Sequence, residues 1–122
     1  MQDFVHLHVH TYYSILDGQS PIKKLVTKAI DNGMRGMAIT DHGNMFGVKE
    51  LFDVCNKKNS ARKKEGKEPF KPIFGCEVYV APRHKEDKDK DKDRKRYHLI
   101  LLAKNLNGYR NLIKIVSRAW VD

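Results

Sequence analysis

The feature that most constrains this chain is how its first helix is placed. Residues 21–32 carry Ile22, Leu25, Val26, Ala29 and Ile30 at helical spacing. Ser20 stands where a cap belongs, Pro21 suits a first turn, and Gly33 supplies a stop. This single apolar stripe lies between two short apolar stretches, 4–9 and 36–40, which read as strands. A strand, a helix and a strand at this spacing form a right-handed crossover, so the two strands pair in parallel. The pattern repeats. Residues 46–63 read as a helix with Leu51, Val54 and Cys55 on its buried side, and 72–80 as a third strand. A fourth strand over 97–103 follows, then a closing helix over 107–121 with Leu112, Ile115, Val116 and Ala119 as its stripe. The alternation defines an α/β fold with mostly parallel strands.

Side-chain parity narrows the architecture. In the first strand Val5, Leu7 and Val9 oppose His6, His8 and His10. In the second, Met37 and Ile39 oppose Ala38 and Thr40, with His42 continuing the second face. In the third, Phe74, Cys76 and Val78 oppose Gly75, Glu77 and Tyr79. An open sheet covered on both faces calls for continuous apolar strands. One apolar face and one small or polar face fit a barrel with a polar mouth better.

The length, 122 residues, allows a single domain. No apolar run approaches the ~18 residues of a membrane span, and no basic-then-apolar leader opens the chain, which implies a cytoplasmic protein. Cys55 and Cys76 form no paired motif and read as small apolar packers. The net charge of +9 concentrates in two segments, +5 over 57–71 and +3 over 83–96. These segments suit either phosphate contacts or solvated loops. The second, "RHKEDKDKDKDRKR", holds no apolar or aromatic residue and reads as a mobile, low-complexity insertion.

His8 and His10, two apart on one strand face, can converge on one ion, whereas His6 lies about 13 Å from His10 at strand rise. Asp17 sits in an Asp-Gly pair, ordinarily a turn signal. His42 ends a strand in "TDHGN", a loop position as readily as a ligand position. Glu77 is harder to explain away, because a carboxylate inside an apolar strand costs several kcal/mol without a partner, and a cation compensates it. His98 reaches the same mouth only if 97–103 runs antiparallel to 72–80, with the charged insertion as the hairpin tip. Imidazole and carboxylate donors suit Zn²⁺, Mn²⁺ or Fe²⁺. A Glu among histidines can bridge two ions, and bridged ions suit phosphoester hydrolysis. No phosphate-binding Gly loop, Ser-His-Asp pattern or Cys nucleophile is present.

"HLHVHT", "AITDHGN" and "GCEVYV" resemble the first motifs of the polymerase and histidinol phosphatase (PHP) metal-dependent phosphoesterases. With "FVHLHVHTYYSILDG" and "YHLILLAKNLNGYRNLIKIVSRAW" the resemblance extends, in order and spacing, to the PHP region at the N-terminus of bacterial DNA polymerase III alpha subunits. It implies the N-terminal part of a distorted (β/α)7 PHP barrel with up to three divalent-metal sites. Carried over by position, the metal ligands are His8, His10, Asp17, His42, Glu77 and His98, with His84 near a further position. The resemblance further implies that the full-length protein synthesises DNA alongside other replicative holoenzyme subunits, with a 3′–5′ exonuclease activity at the metal site. Two alternatives stand beside it: a stand-alone phosphatase, such as one acting on histidinol phosphate, or a non-catalytic, metal-stabilised scaffold binding DNA or a proofreading partner. The family's later ligands and the polymerase domains are implied beyond Asp122. Residues 1–122 then read as a partial PHP domain, inactive alone, with an incomplete metal site and a free sheet edge open to self-association.

Overall fold

The computed structural model describes residues 4–121. Its elements are α1 (Ile22–Asp31), β1 (Gly36–Ile39), α2 (Val48–Lys64), β2 (Lys71–Val80), β3 (Tyr97–Leu102) and α3 (Leu106–Val121). The sheet runs β1-β2-β3, with β1 and β2 parallel and β2 and β3 antiparallel. The hairpin expected around the charged insertion is therefore present, and it pairs Tyr79 with His98.

Helix α1 begins at Ile22 with Pro21 as its cap residue, in extended conformation and with no side-chain cap bond. Ser20 is thus not the cap, contrary to its sequence position. Gly33 does end the helix: at φ +78 it donates to Ile30, while Met34 donates to Ala29, which together satisfy two orphan carbonyls. Ile22, Val26 and Ala29 from α1 and Val48, Leu51 and Cys55 from α2 meet Met37 and Ile39 of β1 and Phe70 in one core. Each fully buried Ile, Leu or Val contributes about 1.5–3 kcal/mol. Cys55 and Cys76 are free and buried, as their spacing implied, and burial pushes the Cys55 thiol up to about 11.

The expected first strand differs. Residues 4–9 lie beside β1 but join it through a single bridge, His6 to Met37. Ala38 donates to the His6 carbonyl and Thr40 to that of Val9, so two steps on β1 face three on the incoming segment. One extra residue bulges the segment and breaks the ladder. The Val9 N–H then goes to the Thr40 hydroxyl (2.9 Å) instead of a backbone carbonyl. Leu7, expected on the buried side, is 46% exposed.

The α3 stripe also departs from its reading. Only Leu112 of α3 is fully buried, and Ile115 is exposed. Among the described residues no helix is long and apolar enough to cross a membrane.

Candidate metal centre

The site lies where β1 ends and β2 continues past it. Beyond Ile39 the pairing resumes in the same register at His42 and Glu77. Glu77 donates its N–H to the Asp41 carbonyl and accepts at its own carbonyl from Gly43. Gly43 sits at φ +62, a conformation few side chains tolerate, which turns the chain away just after His42.

Beneath this corner is a carboxylate that the sequence reading did not single out. Asp41 is 1% exposed. Its Oδ1 accepts from the Thr11 N–H (2.6 Å) and the Ser14 hydroxyl (2.7 Å), and its Oδ2 from the Thr11 hydroxyl (2.8 Å). The Ser14 hydroxyl in turn accepts from the His42 N–H. Asp41 thereby fastens the segment after His10 to the segment before His42. Gly18 closes the same loop so tightly that a Cβ there would sit 2.0 Å from the Thr11 carbonyl oxygen. The available signal was weak, a charged residue directly after the run "GMAIT".

Above Asp41, the half-exposed His8 and His98 and the more buried His10 and His42 converge on buried Glu77. His10 Nε2 lies 2.9 Å and His42 Nδ1 2.6 Å from its Oε2. His98 Nδ1 (3.3 Å) and His8 Nε2 (3.4 Å) approach Oε1. His8 and His10 place their Nε2 atoms 3.2 Å apart. The donors form two groups sharing Glu77, namely His8–His10–Glu77 and His42–Glu77–His98, each within 4.8 Å. Burial pushes the Glu77 carboxyl upward, but His42 and His10, helped by hydrogen bonds from His98 and His10, outweigh it and hold the group below the ordinary carboxylate range.

Asp17 arrives from the other side, its Oδ2 2.9 Å from His42 Nε2, and lies outside both groups. His6 packs edge-on against Phe4 and also stays outside. His84 lies in the insertion, where its N–H donates to Asp87 and where Arg83 forks onto Asp93.

The donor set fits a cation on one specific observation. His42 Nδ1 is buried and has no hydrogen-bond partner, although a carboxylate oxygen lies 2.6 Å away. If Nε2–H donates to Asp17, Nδ1 presents a bare lone pair to Glu77 Oε2. Two acceptors at that distance repel unless a positive charge, either a proton on Nδ1 or a bound cation, lies between or beside them. A carboxylate on the outer nitrogen is also the usual way a ligating imidazole is oriented.

With this geometry in view, the chain matches the PHP domain model over residues 6–122, and it belongs to that family. It is also homologous to DNA polymerase III alpha subunits. It is 46% identical over 120 residues to the subunit of Treponema pallidum, 45% to that of Chlamydia trachomatis and 42% to that of Helicobacter pylori. Each alignment covers 98% of this chain, which spans only 9% of the relatives' length. A solved chain from Bifidobacterium adolescentis, named as a candidate metal-dependent phosphoesterase, overlays at TM-score 0.49 and 23% identity, covering 81% of this chain and 26% of that one.

Proposed function

We propose that this chain contributes the first ligands of a divalent-metal phosphoesterase centre, and that the protein to which it corresponds is a replicative DNA polymerase alpha subunit. His8, His10, His42 and His98 would supply imidazole nitrogen to the ions, and Glu77, common to both donor groups, would serve both. Asp17 acts through His42, accepting a hydrogen bond from Nε2–H so that Nδ1 faces inward. Zn²⁺ suits this donor set best, with Mn²⁺ or Fe²⁺ as alternatives. Bound divalent ions supply Lewis acidity toward a phosphoryl oxygen and acidify water. The chain's own residues do the rest. Asp41 fixes the spacing of the two ligand segments, and buried Glu77 keeps negative charge at the centre without rearrangement. The reaction that follows is hydrolysis of a phosphodiester, with the 3′ end of DNA as the substrate in the polymerase context.

The observation that carries this reading is the pair of donor groups sharing Glu77. The test is metal content by mass spectrometry after exposure to Zn²⁺, Mn²⁺ and Fe²⁺, for the chain and its Glu77→Ala variant. The variant is expected to lose most of its metal; unchanged content would sink the assignment of the central carboxylate. Release of nucleotide from a 3′-labelled primer by the full-length protein, abolished in His10→Ala, tests the activity. An intact primer at saturating metal favours a scaffold role.

A further inference from the structure

We propose that Trp120, in the last turn of α3, is a positioning residue for the metal centre, and that it couples metal occupancy to the docking of α3. The proposal rests on the reading of His42 and Glu77 as ligands. The Trp120 indole N–H donates to the Gly43 carbonyl at 2.8 Å, across 77 positions of sequence. Gly43 directly follows His42, and its own N–H donates to the Glu77 carbonyl at 2.8 Å. Both polar backbone groups of this one residue are therefore held, one by the strand that carries Glu77 and the other by α3.

The turn attached to Gly43 is a closed unit. The Asn44 amide donates to the carbonyls of Tyr13 and His42, and its oxygen accepts from the Phe46 N–H. The Phe46 ring meets the Trp120 ring with centroids 6.1 Å apart. A shift of α3 thus pulls on a hydrogen-bonded turn whose first neighbour is His42, the residue whose Nδ1 faces Glu77 at 2.6 Å.

Core packing does not explain this contact. Trp120 is 67% exposed, so its N–H could be satisfied by water, and Leu112 is the fully buried residue of α3. The indole bond instead fixes the far end of a helix that is lightly anchored elsewhere. By linkage, if docked α3 favours the ligand geometry, metal must favour docked α3 by the same factor.

Trp120 is the chain's only tryptophan, so its fluorescence reports on this contact alone. Two measurements test the coupling. Titration of the wild-type chain with Zn²⁺ is expected to reduce acrylamide quenching of Trp120, with the same midpoint as Zn²⁺ uptake measured by calorimetry. Trp120→Phe, which keeps a ring against Phe46 but removes the donor, is expected to weaken Zn²⁺ binding about tenfold, the lower end for loss of a group supporting a ligand. Quenching that ignores bound Zn²⁺, or equal affinity in the folded variant, overturns the coupling while leaving the centre intact. If the variant does not fold, the wild-type quenching result decides alone. A wild-type chain that takes up no Zn²⁺ overturns the metal centre and the coupling together.

Discussion

The corner that carries the histidines and the layer formed by β3 and α3 are built on opposite terms. At the corner, the supporting polar groups are buried and partnered. Asp41 accepts three hydrogen bonds, Thr11 and Ser14 are almost inaccessible, and Glu77 is surrounded by imidazoles. In the outer layer, apolar side chains face water. Leu99, Leu106, Ile113, Ile115 and Val121 are all exposed. An apolar hollow of about 760 Å³, bordered by Phe52, Ile73, Phe74, Leu106 and Tyr109, opens between α2, β2 and α3. The contrast shows where specificity comes from. A buried carboxylate tolerates only the partners it has, so the corner has one arrangement. Apolar contacts are interchangeable, so the outer layer is defined by how much surface it covers.

Three measurements can break or sharpen this contrast. The largest effect is expected from Asp41→Ala, which strands the Thr11 and Ser14 donors in a dry site and costs about 4 kcal/mol in urea unfolding. A loss under ~1 kcal/mol would mean that water reaches the corner and that its rigidity is overstated. Next come matched truncations in the two regions. Leu51→Ala, in the closed core, should cost about 4 kcal/mol, whereas Leu112→Ala, beside open space that can collapse, should cost about 2 kcal/mol. Equal losses would show that α3 is packed as firmly as the core.

The smallest effect concerns Glu77. Its folded pKa is depressed below the ordinary value near 4.5, so its contribution to stability without metal is present above that value. That contribution is lost as pH falls through the folded pKa, where the carboxyl protonates. The stability gap between wild type and Glu77→Gln should therefore be widest above about pH 5 and close in stronger acid. A gap that widens on acidification would show that burial, not the histidines, dominates at Glu77.

Much of the candidate site was legible in the sequence because a cluster of histidine and carboxylate donors puts rare residues in awkward places. Glu77 inside an apolar strand demanded compensation, and His8 and His10 at alternate positions offered it. The hairpin that brings His98 to Glu77 was legible for the same reason, since only an antiparallel return places both at one end. Asp41 was passed over because an acid beside a turn looks ordinary until its exposure is known. The bulge before Val9 was invisible because residues 5–10 alternate without interruption in the sequence, and the extra residue shows only in the pairing with β1. Trp120 gave no signal at all, since a tryptophan at a helix end says nothing of a carbonyl 77 residues earlier.

The sequence by itself marked out most of the elements and a candidate set of histidine and carboxylate donors. Helical spacing, a terminal glycine and the alternating His8 and His10 are local properties, written in residues close together in the chain. Only the tertiary structure decided which groups share an environment. It set Asp17 against the outer nitrogen of His42, left His42 Nδ1 without a hydrogen bond beside Glu77, put Asp41 beneath both histidine-bearing segments, and brought α3 to Gly43. Those outcomes depend on desolvation and on distances of a few tenths of an ångström between segments remote in sequence, which no local pattern encodes.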